Sequence, residues 1–165
     1  MKILYGVATA LLIAGLIAAW GEMWRQLAYA PGLTPVVLYL EAELIIKSAM
    51  SLCVLITIFG GMGVPIGPIV ALFRQPSAAR IVALCLALLG AIAVLLGALA
   101  WLYGEIAIRQ ATAETGISRA DILAPGRAEG LLALSMGLFP GALLIGSAFL
   151  TQWLADLLPA RRKPA

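Results

Sequence analysis

Four long apolar runs limit what this chain can fold into. They cover residues 3–20, 35–60, 79–104 and 128–158, and from Ile81 to Gly104 no residue carries a charge. A helix needs about 20 mostly apolar residues to cross a hydrocarbon core about 30 Å thick. Each run is near or past that length. Within lipid a segment must satisfy its own backbone N–H and C=O groups. The fold class expected is therefore all-α: one membrane domain over residues 1–165, with four transmembrane helices. Composition agrees, with 63% hydrophobic and 12% charged residues, where an ordinary soluble domain carries about 25% charge.

Each run has its own features. Lys2 before the first run gives it the outline of a signal peptide, and it is read as an uncleaved helix. The fourth run would be roughly 45 Å long as a helix, so its end is expected to tilt or to project into water. Between the second and third runs lies "GGMGVPIGPIVALFRQPSAAR". Its Gly and Pro residues break helix, and a tight connection is expected, with a re-entrant stretch over 60–73 as the alternative. GGMG lacks the Lys-Ser/Thr ending and the preceding strand of a phosphate loop.

Placing both termini in the cytoplasm puts Lys2, Arg74, Arg80, Arg161, Arg162 and Lys163 on one side, opposed only by Asp156. That satisfies the positive-inside rule. Trp20, Trp24, Trp101, Tyr103 and Trp153 fall near the expected interfaces, as aromatic belts do.

Catalysis finds no support. The chain has no histidine, the commonest general base and transition-metal ligand. Cys53 and Cys85 lie inside apolar runs, where a thiol behaves as a small hydrophobe. No nucleophile–base pair and no metal-ligand spacing is present, so no catalytic residue, cofactor or metal is expected, and no nucleic-acid partner.

Small residues form stripes instead. In the third run Ala83, Ala87, Gly90, Ala93, Gly97, Ala100 and Gly104 recur every three or four residues. In the fourth, Gly126, Gly130, Ala133, Gly137 and Gly141 do the same. Hydrophobicity drives no association between helices in lipid, and small residues let backbones approach. The stripes are expected to pack on each other or on further copies in an oligomer.

"LLGAIAVLLGALAWLYG", followed some twenty residues later by "ILAPGRAEGLLALSMGLFPGALLIGSAF", resembles the last two transmembrane helices of the MotA/TolQ/ExbB proton-channel family. Leu88, Leu89 and Gly90 fit the family's LLGTV-x-G element. Pro125, Gly126, Ala128, Glu129, Leu131, Leu132, Ala133, Gly137 and Leu138 fit its PGIAEALxxTAxGLxxAIPA element. The likeness covers residues 80–150. It implies an oligomer around single-span partners of the ExbD/TolR/MotB type, whose membrane aspartate takes a proton as proton-motive force is converted to work. The departures bear on conduction. Ala91 and Leu134 stand where the family has pore threonines, the mid-helix proline has no aligned counterpart (Pro140 comes earlier), and the large cytoplasmic domain is missing. Ser135 is the remaining pore candidate, although a serine in a membrane helix commonly bonds its own i−4 carbonyl. The alternative expectation is a non-conducting tetraspan structural subunit or assembly factor of a larger membrane complex.

The charges near the spans are few. Glu41, Glu43 and Lys47 are the candidate intramembrane charges, and intramembrane charges are costly and usually functional. Glu43 and Lys47 are spaced for a helical ion pair. An interfacial cluster, a proton or cation relay and a partner contact are the three readings. Glu129 is expected in the first turn of the fourth helix, where a carboxylate favours the dipole. Glu105, Arg109, Glu114, Arg119 and Asp121 are expected in a mixed-charge outer loop, with Ser118 capping a short helix.

Overall fold

The computed structural model describes residues 2–30, 32–73, 76–116 and 119–158. Six helices and no strand occur among them: α1 (Lys2–Leu27), α2 (Pro35–Glu41), α3 (Leu44–Gly63), α4 (Ile66–Leu72), α5 (Pro76–Thr115) and α6 (Ala120–Leu157). Four stretches are long and apolar enough to cross a membrane: Ile3–Leu27, Leu44–Leu72, Ser77–Thr115 and Asp121–Leu157. The chain is an all-α membrane protein with four spans.

The second run is not one helix. α2 opens on Pro35, with Thr34 as N-cap accepting from the Val37 N–H at 3.3 Å. It stops at Glu41 because Ala42 and Glu43 are extended, with ψ of 144° and 146°. The span proper starts at Leu44. A second break follows Gly63, after which α4 continues in the same direction beside α6. Gly60 lies against Leu144 and Gly67 against Thr151, so both segments advance together. Residues 60–73 therefore extend the span and do not re-enter it.

The third and fourth helices outrun the hydrocarbon core. At 1.5 Å per residue α5 is about 60 Å long and α6 about 57 Å. The expected outer loop is mostly helix: α5 continues through Thr115 and α6 starts at Ala120, with Gly116 (φ 67°) turning the chain between them. Hydropathy falls after Gly104, but helix propensity does not. "EIAIRQATAET" is rich in good helix formers. Ser118, the expected cap, lies outside the described residues, as do Arg74, Arg161, Arg162 and Lys163. Pro125 and Gly126 sit inside α6, not in the loop expected there.

α6 is the centre of the bundle, and each of the other five helices packs on it, while α1 packs on no other helix. Gly104 faces Gly130, Gly97 faces Gly137 and Gly90 faces Gly141, so α5 runs antiparallel to α6. Gly6 faces Phe149 and Gly15 faces Leu138, so α1 does too. The core divides in two. One cluster, around Met23, Ile46, Met50 and Leu132, lies towards the Glu129 end, and the other, around Leu86, Leu144 and Ala148, towards the opposite end.

Candidate functional site

A backbone break beside lipid leaves polar groups without partners, and each orphan is costly there. The second apolar run and its continuation have two breaks, one just before the span at Ala42–Glu43 and one within it after Gly63, and α6 supplies a polar side chain to each. At the first, Glu129 accepts the Glu43 N–H through Oε1 at 3.1 Å. The Glu43 carboxylate accepts the Tyr103 hydroxyl of α5 at 2.8 Å. Lys47 donates through Nζ to the Leu40 carbonyl, an end group of α2. Three spans are thereby tied at one depth. At the second break Pro68 has no N–H to give to the Val64 carbonyl four residues earlier. Ser147 Oγ donates to that carbonyl instead, at 3.1 Å.

Glu129 and Ser147 are eighteen residues apart on α6, or roughly 27 Å. That is close to the thickness of a hydrocarbon core, about 30 Å. The two clamps therefore span most of the apolar depth, with the exposed Ile69, Leu72 and Phe73 continuing it past the Ser147 level.

This geometry corrects several expectations. Glu43 and Lys47 make no ion pair: Glu43 is extended and precedes α3, so its side chain leaves the helical i,i+4 face and turns to Tyr103. Glu41 is exposed on the last residue of α2, ahead of the span. Glu129 is not in a first turn, because α6 starts nine residues earlier, and its work is to hold the break. Signals for this clamp in the sequence were thin, since Glu43 and Glu129 are 86 positions apart and no Gly or Pro marks Ala42–Glu43. The exposed Glu22–Arg25 ion pair, at 2.7 Å, was likewise not anticipated.

The two stripes meet within the chain. A Cβ on Gly137 would lie 2.5 Å from the Ala93 carbonyl oxygen, and one on Gly97 would lie 2.8 Å from Gly137 Cα. Ala83, Gly90, Ala93, Ala100, Gly104, Gly130, Ala133 and Gly141 are buried along the same seam. The opposite face of α5 carries Leu88, Ile92, Leu95, Leu99 and Leu102, all exposed. Side-chain size, not polarity, separates the two faces.

Ser135 is buried on α6, and its Oγ donates to the Leu131 carbonyl at 2.8 Å. Between Glu129 and Ser147 it is the only hydroxyl on α6. At similar depth on α3, Ser51 donates to the Lys47 carbonyl at 2.8 Å and shares a hydrogen bond with the Tyr39 hydroxyl at 2.9 Å; further along, Thr57 donates to the Cys53 carbonyl at 2.7 Å, and the buried Cys53 thiol points to the Ala93 carbonyl at 3.7 Å. Apart from Tyr39, each of these donors is spent on backbone. No buried side-chain N or O atom lacks a partner among the described residues, and no metal-binding group of His, Cys, Asp and Glu occurs among them.

The chain matches no protein-family model, no curated protein and no solved structure.

Proposed function

We propose that this chain is a non-conducting four-span structural subunit of a larger membrane assembly. One observation carries the reading: in the layer between the two clamps the hydroxyls of Ser48, Ser51, Thr57 and Ser135 each donate to the carbonyl four residues earlier, and the Tyr39 hydroxyl bonds only Ser51 Oγ. A proton path needs groups able to accept and pass on a proton through the apolar belt, and this layer offers spent donors and a single Tyr39–Ser51 hydroxyl pair that leads no further. The α5–α6 hairpin supports the association. It continues some ten residues past Gly104, roughly 15 Å, and carries Glu105, Arg109, Glu114, Arg119, Asp121 and Arg127. Arg109 and Arg127 line one cleft between its two helices. A rigid charged arm outside the membrane fits contact with a partner. Both termini in the cytoplasm, as the charge distribution suggests, and a bacterial inner membrane, as the likeness over residues 80–150 implies, belong to the same proposal.

The second reading is an ExbB/TolQ/MotA-like subunit, oligomeric around a single-span partner and coupling proton-motive force to work. It draws on the likeness over residues 80–150 and on the close α5–α6 seam, with Ser135 as its pore group. Proton flux into vesicles containing the purified chain decides between them. The structural reading expects flux equal to that of empty vesicles for wild type and Ser135→Ala alike. Flux above that baseline, lowered by Ser135→Ala, would overturn it.

A further inference from the structure

α1 and α3 both pack on α6 and not on each other. The space between them is a groove of about 780 Å³, walled by Trp20 and Gly21 of α1 and by Val54 and Ile58 of α3, and floored by Met136 and Phe139 of α6. Ile17, Ile58 and Phe139 on its rim are exposed, so the groove opens sideways. Gly15 lies against Leu138, which sets the groove at mid-depth between the two clamps. It therefore opens onto hydrocarbon.

We infer that this groove seats an acyl chain of a membrane phospholipid. The chemistry of its lining fits a ligand with no hydrogen-bonding groups. Its two hydroxyls, Thr57 and Ser135, are both committed to their own i−4 carbonyls. The size fits as well. An apolar cavity of about 150 Å³ holds one six-carbon ring, so this groove has room for on the order of two dozen carbon atoms or more. The shape does not fit a partner helix. Helices associate in lipid where a run of small residues lets backbones touch, but this groove is walled mostly by large side chains, and its small residues, Gly21, Thr57 and Ser135, sit one on each of three helices, so no helix presents a stripe to it. A flexible chain follows such a surface, and a helix backbone does not reach it. Towards the Glu129 end the groove stops at Trp20, stacked edge-on against Trp24 with ring centroids 6.2 Å apart. Tryptophan pairs of this kind favour headgroup depth, where the chain's ester would emerge. Occupancy also completes the packing of α1, which rests on α6 alone.

Gly21 supplies the test. A Cβ there meets nothing within 4 Å, and the same is true of Gly61 on α3, which does not line the groove. Gly21→Leu starts a bulky side chain from open space at the end of the groove, and Gly61→Leu adds the same bulk elsewhere. The full chain and both variants are reconstituted into vesicles of phosphatidylethanolamine and phosphatidylglycerol, re-extracted in mild detergent and weighed by native mass spectrometry. Circular dichroism confirms that helix content is equal. The expected result is a phospholipid retained by wild type and Gly61→Leu, with retention lowered about tenfold or more in Gly21→Leu, since several buried CH₂ contacts are lost. Equal retention by all three, or none by wild type, would overturn the assignment. So would a small protein co-purifying from the native membrane in wild type and lost in Gly21→Leu, which would make the groove a helix seat.

Discussion

A methyl group on Gly137 would sit 2.5 Å from the Ala93 carbonyl oxygen and 2.8 Å from Gly97 Cα. Both neighbours are backbone, so neither can turn aside. Gly137→Ala must push α5 and α6 apart along a seam whose attraction is contact alone, because lipid offers no hydrophobic force to close it. Overpacking of this kind costs about 1–3 kcal/mol. Gly21→Ala is the control: its Cβ meets open space, and alanine is favoured over glycine in a helix by about 0.5–1 kcal/mol. Unfolding in detergent, followed by circular dichroism, should place Gly137→Ala below wild type and Gly21→Ala level with it or above. Equal stability of the two variants would mean that the seam is not closed as described. The period of small residues made this seam legible before the fold was known, because size is the property that sorts helix faces in lipid. Ala93 is 0% exposed and Leu95, two residues on, is 62% exposed, although both are apolar. Which helix the seam would meet was not legible, since a stripe says only that something comes close.

At the scale of the element, hydropathy located the spans and misplaced their ends. Apolarity reports contact with lipid, not helix. The helical extensions of α5 and α6 into water, and the split of the second run, therefore fell outside what it can show. The break at Ala42–Glu43 has no local signature, and its partner, Glu129, lies on another span. Glu129→Leu removes the acceptor of the Glu43 N–H, while Glu129→Gln keeps an amide oxygen in reach. The bond lies at the exposed edge of the belt, where water or headgroups can partly replace it. The loss is then about 1 kcal/mol, the worth of one ordinary hydrogen bond. Hydrogen exchange reads this directly. The Glu43 amide should exchange faster in Glu129→Leu and near the wild-type rate in Glu129→Gln. Equal protection of that amide in all three proteins would show that Glu129 does not hold the break. Charges that looked costly inside a run thus have a plain structural use: they serve backbone groups that the broken helix cannot serve itself.

For the whole molecule, the position of the membrane decides what each surface can do. The two clamps lie roughly 27 Å apart along α6 within the apolar depth, and the α5–α6 hairpin continues beyond Glu129. Position on α5 should then decide reactivity more than exposure does. Leu95 is 62% exposed but inside the belt, and Ala111 is exposed about 10 Å past Gly104. The native thiols are first removed with Cys53→Ala and Cys85→Ala. Ala is small enough for the buried site of Cys53, whose weak bond to the Ala93 carbonyl is lost. In that background Ala111→Cys should react with a polar maleimide in intact vesicles once the reagent reaches its side of the membrane, and Leu95→Cys should stay unmodified until detergent is added. Reagent given outside or trapped inside the vesicles also reports which face the hairpin occupies. A protected Ala111→Cys, or a reactive Leu95→Cys, would move the belt. Glu129 and Ser147 would then no longer lie within its depth, and the layer of spent donors between them would lose its meaning as a barrier. Protection of Leu95→Cys together with labelling of Ala111→Cys keeps that layer across the hydrocarbon and leaves the charged arm in water, the arrangement a structural subunit needs.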